Sequence, residues 1–383
     1  MSNTVLVLGS NAGQTDLIRH MKSRGWRTVA CAHIRNLPGE AIADAFEQVD
    51  VRDPDAVAEL AKRVGADLVY SVSSDLAIKT AISVSERLGL PHFYGSGFID
   101  LLDQKHKLRA HLNQSKLSEV AYKQVTSVSE GEDWSSFPCV VKPADAQGQR
   151  GVVVVNDRVE LLGALDAAIS LSPSKTAVVE AYLDGVEISS NVLVYQGEVV
   201  VNEVSERLVH GGHLFGIPRG HLVPCHNVSK DMRAAARQLV RDVVASLQVA
   251  NGCLYFQMKI TPDGPKIIEI APRLDGCHMW RLIYHARGFD FLAATVDVLL
   301  GKAPDLSQRR EDISLHELMF QQTPPGSIFQ EVDFPVPANA LYHEYRYTDG
   351  ETVLPINGLM DVVGYYVRMT PADEVGKFDA DKR

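Results

Sequence analysis

The stretch Gly252–Gly276, GCLYFQMKITPDGPKIIEIAPRLDG, reads as two short strands joined by a turn. Gln257 lies in the first strand and Glu269 in the second, and Thr261, Pro262, Asp263 and Gly264 supply the turn chemistry between them. The strands should fold back as a hairpin that brings the two side chains together. An amide and a carboxylate side by side make an oxygen site. Hard cations such as Mg²⁺ take oxygen ligands and bind through one or two carboxylates plus water and phosphate oxygens. Arg273, four residues past Glu269, would add a fixed cation beside such an ion. Asp275, within Leu-Asp-Gly, reads as a turn residue.

At 383 residues the chain exceeds the roughly 250 to 300 at which a single core stops growing, so two or three domains are expected. A formal charge of -10 without a basic run argues against nucleic acid as a main partner. The five cysteines are odd in number and scattered, with no C-x-x-C pair, so neither a disulfide framework nor a structural zinc site is suggested. No apolar run approaches the roughly 18 residues of a membrane span. The expectation is a reduced, cytoplasmic protein without a membrane partner.

Around the hairpin the chain divides into three parts: 1–102, 103–303 and 304–383. In the first, TVLVLG, WRTVACA and ADLVYSVS read as buried strands alternating with helices that stop at Gly25 and Gly65, predicting a small parallel sheet with helices on both faces. Ser10 lies in its first turn. Ser74 and Asp75 close the ADLVYSVS strand, with Asp75 expected as a helix N-cap. The second part opens on a basic helix, residues 103–117, in which Lys105 and Arg109 share a face and Lys107 competes with Lys105. In FPCVVKPADAQGQRGVVVV, Lys142 ends an otherwise apolar strand, which suggests that its ammonium projects into a site. The loop Ala144–Gly151 can close over phosphates, because glycine lets backbone amides approach oxygen atoms. Glu187 interrupts an apolar strand and needs a partner there. His210, His213, His221 and His226 fall in a Gly- and Arg-rich stretch without a helical i, i+4 pair of histidines, so ordinary loop histidines are expected rather than a metal site. Arg207, Arg219 and His213 are the candidates for holding an anionic acceptor. Residues 230–249 predict an amphipathic helix behind the sheet, and residues 304–383 a β-rich tail without a chemical motif.

The hairpin followed by E-I-x-P-R-x-x-G resembles the metal-binding hairpin of the ATP-grasp superfamily, in its carboxylate-amine ligase type, similar to biotin carboxylase, carbamoyl phosphate synthetase and the L-amino-acid ligases. The first ligand there lies twelve residues before the second, the spacing of Gln257 and Glu269. The usual E-x-N-x-R is here Glu269, Ala271 and Arg273, so the Asn is missing. The resemblance implies an α/β N-terminal domain, an α+β ATP-grasp fold and a small β-rich C-terminal subdomain. It also implies ATP as nucleotide, with Mg²⁺ (or Mn²⁺) on Gln257 and Glu269. Lys105, Lys142 and the loop glycines Gly148 and Gly151 would hold phosphates. The segment Glu180, Ala181 and Leu183 would face adenine, Glu187 the ribose, and Arg273 and Lys142 would be catalytic. A carboxylate would be activated as an acyl phosphate and joined to an amine, releasing ADP and phosphate. Carboxylation, phosphotransfer to a small molecule and a catalytically weakened nucleotide-binding protein stay as alternatives, and a homodimer is left open.

Overall fold

The computed structural model describes residues 2–146, 150–211, 214, 216–355 and 359–382. Its first sheet is built from β1 (Thr4–Leu8), β2 (Arg27–Ala32), β3 (Ala45–Gln48) and β4 (Leu68–Tyr70), all parallel, in the order β3-β2-β1-β4. β1, β4 and most of β2 are buried apolar runs because helices cover the sheet, while the edge strand β3 is more exposed. The helix Pro54–Val64 ends as expected at Gly65, in the left-handed conformation. One expectation is corrected. Ser74, not Asp75, caps the helix Asp75–Leu88, its hydroxyl accepting from the Ala77 amide at 3.3 Å. Asp75 is thereby free to face elsewhere.

A second, four-stranded sheet contains β5 (Tyr122–Val125), β6 (Cys139–Pro143), β7 (Val153–Val155) and β8 (Ala177–Ala181) in the order β5-β8-β6-β7. Together with the helix Arg158–Leu171 it buries its own small core around Val141, Leu161, Leu165 and Val179. This lobe is held separately from the main apolar core, which runs without a break from the first sheet into the large one.

The large sheet has eight strands. They are β9 (Val186–Tyr195), β10 (Glu198–Val209), β11 (Pro218–Val223), β12 (Gly252–Thr261), β13 (Gly264–Ala271), β14 (His316–Thr323), β15 (Ala340–Tyr345) and β16 (Asp361–Met369), ordered β13-β12-β9-β10-β11-β14-β16-β15. The β-rich tail is therefore not a detached unit: β14 pairs with β11 and extends the same sheet. Strand alternation divides the residues between two faces. Leu254, Phe256, Met258, Ile188 and Ile270 go to the core, where the helix Lys230–Ser246 packs with Leu239, Val240 and Val243. The opposite face receives Gln257, Glu187, Ser189, Ser205 and Arg207. No helix among the described residues is long and apolar enough to cross a membrane.

Gly185 joins the lobe to the large sheet. Its φ is +143°, and a Cβ there would lie 1.9 Å from the Ile260 carbonyl oxygen. Gly185→Ala should destabilise the protein by about 1–3 kcal/mol, read from the urea unfolding midpoint. An unchanged midpoint would mean that the β8–β9 junction does not require this close approach.

Candidate active site

The hairpin forms as its sequence implies. Thr261 pairs with Gly264, leaving Pro262 and Asp263 as a two-residue loop, and Gln257 lies directly opposite Glu269. Immediately beyond this pair the register shifts, so that Met258 opposes Ile267 and Ile268 is the extra residue of a bulge. A bulge re-aims neighbouring side chains and is frequent beside active sites. Ile267 and Ile270 both stay in the core while Glu269 remains on the polar face.

Four ion pairs on three carboxylates, Glu180, Glu187 and the half-buried Asp75, surround the hairpin. Lys142 donates to Glu180 Oε2 at 2.7 Å, and Arg109 reaches the same carboxylate through Nε at 3.3 Å and Nη2 at 3.4 Å. Burial opposes the Glu180 charge, yet Lys142 and Arg109 outweigh it and hold the carboxyl at about 2. Two cations against one carboxylate leave this cluster net positive. Glu187 pairs with Arg207 and also accepts from Gln257 Nε2 at 2.6 Å. Arg273 grips Asp75 with both arms of its guanidinium, Nε to Oδ1 at 2.6 Å and Nη2 to Oδ2 at 2.8 Å, while Nη1 donates to the Leu274 carbonyl at 3.1 Å.

Lys105 begins the helix Lys105–Gln114, its ammonium donating to the Ala146 carbonyl at 2.5 Å. Burial lowers its pKa, Glu269 works against that and Lys142 adds to it. The competing Lys107 points away into an exposed pair with Asp100. A cleft opens beside Lys105 and Glu269, walled by Asp75, Lys79, Asp103 and Ala271.

The other expected residues are distributed as follows. The Ala181 amide donates to the Ala121 carbonyl and the Tyr182 amide to the Pro138 carbonyl. Leu183 lies in the connection between β8 and β9. Gly151 adopts φ +73° at the far end of the loop. Gly148 and His213 lie outside the described residues. Arg207, read from sequence as an acceptor contact, is committed to Glu187, but its Nε has no hydrogen-bond partner among the described residues.

Sequence reasoning missed Asn191. It is 1% exposed and neither its Oδ1 nor its Nδ2 has a partner among the described residues. Its register position opposite Tyr255 puts it on the polar face, two residues beyond Ser189. Such a group is costly unless something else bonds to it. An Asn within a buried strand, NVLVY, was the available signal.

Residues 135–280 match the ATP-grasp domain family. The segment that carries Lys142, Glu180, Gln257 and Glu269 is thus similar to ATP-grasp domains. It is 22% identical over 270 residues to the mitochondrial arginine-specific carbamoyl phosphate synthase large chain of Schizosaccharomyces pombe, an alignment covering 68% of this chain and 22% of that one. The chain thus spans about a fifth of the length of that relative. Among solved structures, the L-amino acid ligase from Bacillus licheniformis superposes with a TM-score of 0.80 at 18% identity, covering 100% of this chain and 97% of the other. The biotin carboxylase domain of the Hydrogenobacter thermophilus 2-oxoglutarate carboxylase, solved with MgADP, ADP and bicarbonate, superposes with a TM-score of 0.80 at 16% identity, covering 97% and 87%. Both solved structures share the fold of the chain over nearly its whole length.

The Glu180 cluster gives a pH-dependent stability with a definite sign. Because its folded pKa is depressed from 4.5 to about 2, its contribution is complete above 4.5 and is lost as pH falls through the folded value. Glu180→Gln should remove that acid-dependent increment. At neutral pH it should cost about 3–5 kcal/mol by leaving Lys142 and Arg109 buried against a neutral amide. Unfolding free energy measured from pH 7 to 2.5 tests both, and parallel curves for the two proteins would refute the assignment.

Proposed function

We propose that the chain is an ADP-forming carboxylate-amine ligase acting on small molecules. The observation that carries this reading is the register pairing of Gln257 with Glu269 beside Lys105, with the cationic Lys142 cluster close enough to influence the same lysine. ATP provides the phosphoryl group. A substrate carboxylate oxygen attacks the γ-phosphorus, the bond to the bridging oxygen breaks, and ADP leaves behind an acyl phosphate. An amine nitrogen then adds to the acyl carbon, phosphate departs and the nitrogen gives up a proton.

The residues fit a divalent ion. Glu269 offers a carboxylate, and Gln257, whose Nε2 is turned to Glu187, offers its Oε1. Ala271 has no donor atom, and Mg²⁺ readily keeps water at such a position. When bound, Mg²⁺ (or Mn²⁺) neutralises charge on the phosphate oxygens. The protein's own part is to hold cations where charge develops, Lys105 and Lys142 at the phosphates. Glu187 at the ribose and the Glu180–Leu183 backbone, with Ala181, at adenine complete the nucleotide assignment. Each would have to share bonds it already makes. Gly148 and Gly151 would close the loop.

Arg273 needs a refined role. Two arms of its fork are occupied by Asp75, so it fixes the N-terminal domain against the hairpin as well as carrying charge toward the acyl phosphate. The acceptor end is proposed around Asn191 and Arg207 Nε, the unpartnered polar atoms of the same face. A reducing, cytoplasmic setting fits the five free, buried cysteines.

Phosphate release should appear with a mixture of small carboxylates and amines. Replacing the amine with hydroxylamine should yield a hydroxamate, which a phosphorylated alcohol would not give. Absence of ADP formation with any mixture would favour a nucleotide-binding protein without turnover. Arg273→Ala should lower turnover on the order of a hundredfold to a thousandfold with ATP binding retained in equilibrium dialysis. A wild-type rate would remove Arg273 from the chemistry.

A further inference from the structure

We propose that His221, Asp275 and Cys277 bind one divalent transition-metal ion of the zinc class, at a position separate from Gln257 and Glu269. His221 lies on β11, whereas Asp275 and Cys277 lie on the turn that follows β13. Their donor atoms fall within 4.8 Å of one another. Imidazole, carboxylate and thiolate are all zinc ligands. A thiolate in the set favours a softer ion over Mg²⁺.

The observation that points to a ligand, beyond mere proximity, is orphaned polarity. His221 is 0% and Asp275 3% exposed. Neither His221 Nε2 nor Asp275 Oδ2 has a hydrogen-bond partner among the described residues. Their other atoms are occupied in a way that orients them. Asp275 Oδ1 accepts from the Cys277 amide at 3.0 Å, which folds the turn and leaves Oδ2 for the cluster. His221 Nδ1 lies 3.2 Å from the Ser205 hydroxyl, itself 2.8 Å from the Ser189 hydroxyl. With Nδ1–H donating to Ser205, the Nε2 lone pair is left to coordinate, the outer hydrogen bond that metal-binding histidines commonly make.

Charge supports the same reading. A buried carboxylate without a close cation is costly. Arg207 and Arg273 are near, but Arg207 is engaged by Glu187 and the Gly216 carbonyl, and Arg273 by Asp75 and the Leu274 carbonyl. On binding, the Cys277 thiol releases its proton to solvent, and thiolate plus carboxylate balance a divalent ion. Three protein ligands leave a fourth position for water. The ion would tie the turn after the hairpin to β11, and so brace the segment from which Arg273 projects. The inference rests on these three side chains and does not depend on the ligase reading.

The test is a Co²⁺ titration of the full chain, stripped with chelator and kept reduced. One equivalent should bind with a near-ultraviolet thiolate-to-cobalt charge-transfer band. Cys277→Ser should abolish that band, and His221→Ala should weaken binding at least about tenfold. Glu269→Gln should leave the band unchanged. The proposal is overturned if the wild-type chain shows no such band, if Cys277→Ser retains it, or if Glu269→Gln removes it. The wild-type titration decides the matter even where a variant fails to fold.

Discussion

Several carboxylates buried in this fold are each met by an opposite charge, and those meetings tie the parts together. Glu180 of the small lobe is met by Lys142 of the same lobe and by Arg109 from the helix Lys105–Gln114. Asp75 of the N-terminal domain is met by Arg273 from the segment following the hairpin. Glu203 on β10 is met by Arg287, Nε to Oε2 at 2.7 Å, from the helix Met279–Arg287. Asp16 of the first domain receives the Trp280 indole at 2.7 Å and pairs with Arg281. Such pairs add little net stability over an apolar substitute, but breaking one leaves a buried charge, so each penalises the wrong arrangement strongly. Strand register, lobe placement and domain contact are specified by the same few carboxylates.

This constraint explains which features could be read from the sequence. The hairpin was legible because Pro262, Asp263 and Gly264 permit little other than a tight turn, and the apolar alternation around them fixes which side Gln257 and Glu269 face. The first domain was legible because Gly65 and the apolar strands give local signals. The N-cap was misassigned between Ser74 and Asp75, since either residue type caps a helix and only the distant Arg273 decides which carboxylate is needed elsewhere. The partners of Glu180 and Glu187 were illegible for the same reason: Arg109 lies 71 residues from Glu180 and Arg207 lies 20 from Glu187. A buried acid announces that it has a partner without naming it.

The C-terminal strands show a further limit. Their alternation and Pro- and Gly-rich turns predicted short strands, which the structure contains, but pairing with β11 depends on backbone groups at a sheet edge rather than on any motif. Once joined, the tail brings Arg346 against His278, Nη2 to Nε2 at 2.8 Å, so a segment without chemical motifs contacts the turn that carries Asp275 and Cys277.

The missing Asn of the hairpin motif can be judged in the same physical terms. Ala271 is 3% exposed and sits opposite Tyr255, whose ring lies under the Arg273 guanidinium at 5.6 Å. A longer polar side chain at that position would compete for the space in which Arg273 stacks and reaches Asp75. With alanine there, the aromatic ring and the carboxylate hold the arginine from two sides. In the proposed metal site the exchange would give up one ligand, which water can replace, and keep an oriented guanidinium, which water cannot.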